Sequence, residues 1–122
     1  MSYESKIYIV DKRYDDWDEQ YGKYWASMEA CFNLGMNHEM PFIIEHYNPT
    51  NCFFYDDVGY LPMLEDKYGE PLIEIPIDSL IYELENLQCK SWRTSALLEA
   101  LKIIADEHTI KPRSIVCLHY GY

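Results

Sequence analysis

The stretch RYDDWDEQYGKYW, residues 13 to 25, decides how the N-terminal part of the chain is interpreted. It holds four acidic and five aromatic residues in thirteen positions. Acids are favourable at the start of a helix, where they meet the positive end of the helix dipole. Acids mixed with Tyr and Trp are also typical of a surface that meets a positively charged partner. The local pattern bears on the interpretation as a helix start, and the charge of the whole chain bears on the interpretation as a partner surface.

The local pattern predicts a helix over residues 17 to 34. Asp16 stands at the N-cap position, and Glu19 follows it at the spacing of a capping box. Gly35 follows the last periodic residue, where a helix C-terminus favours glycine. Apolar residues recur at steps of three and four, as on one face of a helix: Tyr21, Trp25, Met28, Cys31 and Phe32.

The other segments follow from the same rules. Apolar, β-branched and aromatic runs bounded by turn residues predict six strands, at residues 5–11, 41–47, 52–56, 60–65, 71–77 and 114–120. Asp78 and Ser91 are the predicted N-caps of two further helices. The order is β-α-β-β-β-β-α-α-β. It predicts one α+β domain over residues 1–122, with a mostly antiparallel sheet, about three helices packed on it, and the two terminal strands as candidate neighbours.

The net charge of −11 is concentrated in the first part of the chain. Residues 1–87 carry 18 acids against five bases, whereas residues 88–122 carry three acids against five bases. Phosphate repels such a chain, so direct binding to nucleic acid or to an anionic membrane is not expected. The charge distribution indicates either a solvated surface or an interface for a basic protein.

Sequence motifs of catalysis are missing from the chain. There is no nucleophile elbow, no zinc-protease motif and no Gly-rich phosphate loop. The four cysteines are widely spaced and read mainly as small core residues: Cys31, Cys52, Cys89 and Cys117. Neither their spacing nor the histidines of the HEMPFIIEH segment predict a metal site. We therefore expect a protein that is not an enzyme and has no cofactor.

The main hypothesis is a non-catalytic binding protein that covers a basic surface. Ten of the twelve tyrosines lie in residues 1–87, among the excess acids. Spaced carboxylates can imitate phosphates and engage a Lys/Arg groove that normally holds nucleic acid. The candidate partner-binding residues are Tyr14, Asp15, Asp16, Trp17, Asp18, Glu19, Asp56, Asp57, Glu65, Asp66 and Glu70.

In general character the chain resembles the small, acidic, Tyr-rich proteins encoded by phages and other mobile elements. Many proteins of that kind inhibit host enzymes that handle nucleic acid, including CRISPR effectors and restriction enzymes. The resemblance rests on composition and size and not on a motif, so it assigns no role to a residue. It implies an inhibitor whose partner is a nucleic-acid-handling protein.

Two alternatives stay open. A local basic patch could bind a nucleotide-like anion, because Arg suits bidentate phosphate contacts and Trp can stack on a base; its residues are Lys90, Trp92, Arg93 and Arg113. A small enzyme is the third class. The N-terminus lacks the features of a signal peptide and the apolar runs are short, which predicts a cytoplasmic protein. A homodimer is compatible with the sequence but not required by it.

Overall fold

A computed structural model describes residues 4–55, 61–66, 68–88, 90–108 and 115–121. The strands are β1 (Ser5–Asp18), β2 (Lys23–Gly35), β3 (Asn48–Pro49), β4 (Cys52–Tyr55), β5 (Pro62–Met63), β6 (Ile73–Pro76) and β7 (Ile115–Gly121). The helices are α1 (Met40–Ile44), α2 (Ile77–Glu85) and α3 (Trp92–His108). The predicted α+β class is confirmed.

The strands form one sheet in the order β3-β6-β7-β1-β2-β4-β5. The pairings are antiparallel except for that of β2 with β4. The predicted contact between the terminal strands is confirmed, because β1 pairs with β7 from Ser5 to Asp11. Strands β3 and β4 lie far apart in the order although only Thr50 and Asn51 separate them in the chain. Two residues cannot cross a flat sheet, so the sheet curls back on itself.

Both faces of the central strands are buried. Ile7 and Ile9 of β1 pack with the helices, in a cluster that includes Leu84 and Leu101. Tyr8, next to them in sequence, points to the opposite face. The second cluster fills the inside of the curl: Tyr8, Val10, Ala26, Cys52, Phe54, Leu72, Val116 and Leu118. Since successive side chains of a strand alternate between faces, β1 serves both clusters.

The predicted helix over residues 17–34 is wrong. Residues 19–22 form the loop of a β-hairpin, and the following residues form β2. Asp16 and Glu19 therefore cap no helix. Gly22 has a φ of 63° and its N–H donates to Asp18 O at 2.9 Å, which closes the loop. Gly35 does adopt a positive φ of 66°, but it ends a strand.

The pairing of β2 explains why its spacing resembled a helix. Ile9 pairs with Ala30 and Val10 with Met28, so Glu29 is an extra residue in a β-bulge. The bulge turns the strand over. Apolar residues before it face the inside of the curl, whereas Ala30 and the apolar residues after it face the helices. The strand thus serves two cores, so its apolar residues do not keep to one face.

The predicted strand over residues 41–47 is also wrong, because this segment contains α1. Pro41 lies in the first turn, where its missing N–H costs nothing. Asn37 Oδ1 accepts hydrogen bonds from the N–H groups of Glu39 and Met40, both at 2.9 Å. These contacts satisfy donors that the start of a helix leaves free.

The other two predicted helices are confirmed as α2 and α3, with one change at a cap. Ser91 Oγ accepts the N–H of Thr94 at 3.2 Å, as an N-cap should. At α2 the N-cap position is Pro76, and Asp78 lies in the first turn without a side-chain cap bond. In the part of the chain that the structure describes, no helix is both long enough and apolar enough to span a membrane.

Candidate partner-binding surface

The far end of the β1–β2 hairpin, residues 13–24, is called the hairpin tip below. Its pairing contains a larger irregularity than the rest of the hairpin. Lys12 pairs with Ala26 and Trp17 pairs with Tyr24, so four residues of β1 lie opposite Trp25 alone. The three extra residues must bulge out of the ladder, since the strands resume their pairing beyond them. The bulge therefore interrupts the regular pairing of β1 with β2 at residues 13–16.

Aromatic side chains are exposed on the hairpin tip. Tyr14 is 58% exposed and Trp17 is 50% exposed. Both contact the half-buried Tyr24 edge to face, with ring centroids 5.9 Å and 4.8 Å from it. Tyr24 thus supports two aromatic residues that remain open to a partner. Rings held by a neighbour lose less freedom on binding than free side chains do.

The acids of the hairpin tip are not neutralised nearby. Asp15, Asp16 and Glu19 are exposed. Within the described residues, no Lys or Arg lies within 4.0 Å of these carboxylates. The two bases of the tip bind other acceptors: Arg13 donates to Ser27 Oγ at 2.9 Å, and Lys23 donates to Thr50 O at 2.9 Å. The negative charge is therefore available to an external cation.

Asp18 has a different role from its neighbours. It is half-buried, and its Oδ1 accepts the N–H of Tyr21 at 3.1 Å. Together with the loop bond to Gly22, this contact shapes the turn. Asp18 therefore positions the hairpin tip, and it presents less of its carboxylate than Asp15 or Asp16.

A buried ion pair anchors the start of the bulge. Lys12 is buried, and its Nζ lies 2.9 Å from Glu74 Oε1 on β6. Glu74 Oε1 also accepts the hydroxyl of Thr50 at 2.7 Å. The Lys12 ammonium lies 5.2 Å from the centre of the Tyr14 ring, within the range of a cation–π contact. Contacts thus run from the inside of the curl to the exposed Tyr14. Lys12 is not among the residues predicted for the surface, although a lysine directly after an apolar strand is visible in the sequence.

The remaining predicted acids do not join this surface. Glu65, Asp66 and Glu70 lie in the turn before β6, and Asp66 and Glu70 line a cavity beside Gly121, which pairs with Ser5 at the opposite end of β1. Asp66 is buried, and its Oδ1 accepts the N–H groups of Tyr68 and Glu70 at 2.8 and 3.0 Å. It therefore shapes the turn. Asp56 and Asp57 lie outside the described residues.

The predicted basic patch is partly assembled at the start of α3. Trp92 is 76% exposed, and the guanidinium of Arg93 lies 5.3 Å from its ring centre. Arg93 also packs against Gly35, so that a side chain at that glycine would meet its Nη1. Lys90 donates to Leu87 O at 3.1 Å. Arg113 lies outside the described residues. Anion binding at this patch stays a prediction.

The cysteines show no sign of an activated nucleophile where they are described. Cys52 and Cys117 are buried, as predicted, whereas Cys31 is exposed and Cys89 lies outside the described residues. Burial raises the pKa of Cys117 to about 12 and also raises the pKa values of Cys52 and Cys31. Their thiols therefore stay protonated near neutral pH and are poor nucleophiles.

A buried serine–histidine pair is the second feature that the sequence analysis missed. Ser5 Oγ lies 2.8 Å from His119 Nε2, and both residues are buried. Burial lowers the pKa of His119 to about 4, and the negative charge of Asp66 only partly opposes this shift. The imidazole is thus neutral near pH 7. Ser5 has no exposed surface, so it offers no route for attack on a substrate.

No group of three or more His, Cys, Asp or Glu residues in the described part of the chain is arranged to hold a metal ion. Comparison with known proteins adds no assignment: no family model, no curated protein and no solved structure matches the chain. The interpretation of the surface therefore depends on its own geometry and charge.

Proposed function

We propose that this chain is a non-catalytic inhibitor that binds a basic surface of a nucleic-acid-handling protein through its hairpin tip. One observation carries the proposal: the pairing of β1 is interrupted between Lys12 and Trp17, and Tyr14, Asp15 and Asp16 in this interruption are exposed. Trp17 stands beside them at half exposure. The tip thus combines aromatic anchors with carboxylates that have no internal cation among the described residues.

The physical role of each component is different. The carboxylates attract a Lys/Arg-lined groove over a distance of about 10 Å at moderate salt and raise the association rate. Tyr14 and Trp17 supply apolar contact area, which limits the dissociation rate once the surfaces meet. The partner would lose its access to nucleic acid because the hairpin tip fills the groove. The general resemblance to phage-encoded inhibitors suggests CRISPR effectors and restriction enzymes as the first partners to test.

The test is a cleavage assay with a panel of these nucleases, with and without the protein. We expect inhibition of at least one nuclease, and we expect that inhibition to weaken steeply as salt rises. The double variant Asp15→Lys/Asp16→Lys should lose inhibition by at least about tenfold, because like charges then face each other. The variant Trp17→Ala should lose inhibition with a smaller change in its salt dependence, since it removes apolar area only.

The matched control is Glu99→Lys/Glu107→Lys on α3, which changes the net charge of the protein equally. Glu99 and Glu107 are exposed and lie outside the hairpin tip. If the α3 variant lost inhibition as strongly as the tip variant, net charge alone would explain binding, and the proposed surface would be wrong. If no nuclease of the panel were bound or inhibited, the proposed class of partner would be wrong.

A further inference from the structure

A cavity of about 350 Å³ lies at the other end of β1 from the hairpin tip. It is formed by α1, by the turn before β6 and by the ends of β6 and β7, and it is lined by Ile44, Asp66, Glu70, Pro71, Ile73, His119 and Gly121. This volume falls within the range of small-molecule sites, which are typically about 300 to 1,000 Å³. Such sites combine apolar walls with a few polar groups that converge on the ligand.

The polar groups of this cavity favour a positive charge. The Asp66 carboxylate is held in place by two backbone N–H groups, which donate to its Oδ1. Glu70 is exposed and adds a second carboxylate to the lining. Among the described residues of the lining, no Lys or Arg opposes these charges. Five of the seven described lining residues also belong to the strongly acidic first 87 residues, whose field attracts cations.

The wall of the cavity, which includes His119, determines which kind of cation fits. His119 is only 2% exposed and is engaged with Ser5 through Nε2, so its ring is fixed in place. Because the ring is neutral near pH 7, it does not repel a cation. The rest of the wall is apolar, from Ile44, Pro71 and Ile73. The described residues of the lining are not arranged to hold a metal ion, whereas an aliphatic stem would find apolar contacts.

We infer that this cavity is a second binding site, separate from the hairpin tip, for a cationic head on a short aliphatic stem: an alkylammonium or alkylguanidinium group. The charged head lies between Asp66 and Glu70, and the stem packs on Ile44 and Ile73. A free amine and the Lys or Arg side chain of another protein share this chemistry. The inference does not depend on the proposed inhibitor function, because no residue of the hairpin tip takes part.

The experiment is an NMR titration of the whole protein with n-butylammonium and ethylguanidinium chlorides at constant ionic strength. We expect saturable shifts of the His119 imidazole signals and of the backbone amide signals of Glu70 and Ile73. The variant Glu70→Gln should weaken binding by about threefold to tenfold, because it removes one charge-assisted contact at a partly hydrated site. 1-Pentanol, which has a similar stem without the charge, should produce no saturable shifts at the same concentration.

The matched control is Glu65→Gln, which removes the same charge from an exposed residue of the same turn that is not part of the lining. It should leave the affinity within about twofold of the unmodified protein. A larger variant, Ile44→Phe, should fill the cavity and abolish the saturable shifts, provided that its circular dichroism spectrum and melting temperature show a folded protein.

The outcomes separate the sources and decide the inference. A lysine blocked at both termini is titrated in the same way. If its affinity equals that of n-butylammonium, the result supports the site with a protein side chain as its ligand. Preference for n-butylammonium supports the site with a free amine as its ligand. Absence of saturable shifts with both cations, equal effects of Glu70→Gln and Glu65→Gln, or equal binding of 1-pentanol would each overturn the inference.

Discussion

The two halves of β1 show how one strand can serve the fold and present a surface. From Ser5 to Asp11 the strand is paired on both sides, by β2 and by β7, and both of its faces are buried over most of that length. From Arg13 to Trp17 the side chains are exposed, β7 has ended, and a bulge interrupts the pairing with β2. Pairing on both sides and cover on both faces make the first half a core element. The second half has neither, so its side chains are available for contact with another molecule.

Stability and recognition can therefore be assigned to different segments of one strand. A change in the first half should act on the free energy of unfolding, and a change in the second half should act on partner binding. Lys12 lies at the border between the halves and contributes to both. The four predictions below test this division, beginning with the largest expected change in stability.

The variant Ile9→Ala should lower the free energy of unfolding by about 2–5 kcal/mol. Ile9 has no exposed surface and packs in the cluster between the sheet and the helices. The loss combines the transfer free energy of the removed methyl and methylene groups with the cavity that they leave. Urea denaturation followed by circular dichroism measures it. A loss below about 1 kcal/mol would contradict the assignment of this half of β1 to the core.

Acid should destabilise the protein through His119, which pairs in register with Ile7 of the first half. Its pKa is about 4 in the folded protein, against 6.5 for an unperturbed histidine. Because the folded state binds the proton less tightly than the unfolded state, this contribution to stability is complete above about pH 6.5 and is lost as pH falls towards 4. The loss reaches about 3 kcal/mol at most.

Carboxylates titrate in part of the same window, so the measurement must compare variants. The free energy of unfolding of the protein and of His119→Gln is measured from pH 7.5 to pH 4.5. The difference between the two curves isolates the histidine, whose surroundings include the Ser5 hydroxyl and the negative charge of Asp66. Parallel curves would show that His119 does not carry the acid sensitivity.

At the border between the halves, Lys12→Met should lower the free energy of unfolding by about 1–3 kcal/mol. This is less than for a fully buried ion pair, because the side chain of Glu74 is 24% exposed. The double variant Lys12→Met/Glu74→Gln should recover part of that loss, since no unpaired carboxylate remains. A double-mutant cycle by urea denaturation measures the coupling. Strictly additive losses would contradict an energetic link between the two side chains.

The smallest expected change in stability is that of Trp17→Ala in the second half. It should remain below about 1 kcal/mol, because half of the ring is already exposed and the side chain contacts mainly Tyr24. Thermal unfolding of Trp17→Ala beside Ile9→Ala gives the direct comparison. A loss for Trp17→Ala that equals the loss for Ile9→Ala would remove the distinction between the two halves of the strand.

The sequence predicted the parts of the fold whose causes are local. The apolar run over residues 5–11 identified the first half of β1, and the run over residues 114–120 identified β7. The cap at Ser91 identified the start of α3. In each case neighbouring residues carry the whole signal.

The failures have a different cause. The prediction of a helix over residues 17–34 gave no weight to the strand-like alternation of apolar residues at every second position: Ala26, Met28, Ala30 and Phe32. The two alanines in this pattern are weak signals of a strand. The bulge at Glu29 then exchanges the faces of the strand, a feature that only its pairing with β1 defines. Of the predicted partner-binding residues, Tyr14, Asp15, Asp16 and Trp17 lie together on the hairpin tip, but their separation from Asp66 and Glu70 could not be foreseen. That separation depends on how the sheet curls.

By itself, the sequence determined the α+β composition, the two longer helices, the strands at both ends and the excess of acids over residues 1–87. These properties arise from residues close together in the chain, where propensity, alternation and charge act directly. Only the tertiary structure decided which acids are exposed together, which lysine is buried beside Glu74, and that His119 lies neutral in the wall of a cavity. Burial and strand register depend on distant segments, because the neighbours that exclude water from a side chain arrive only when the chain folds.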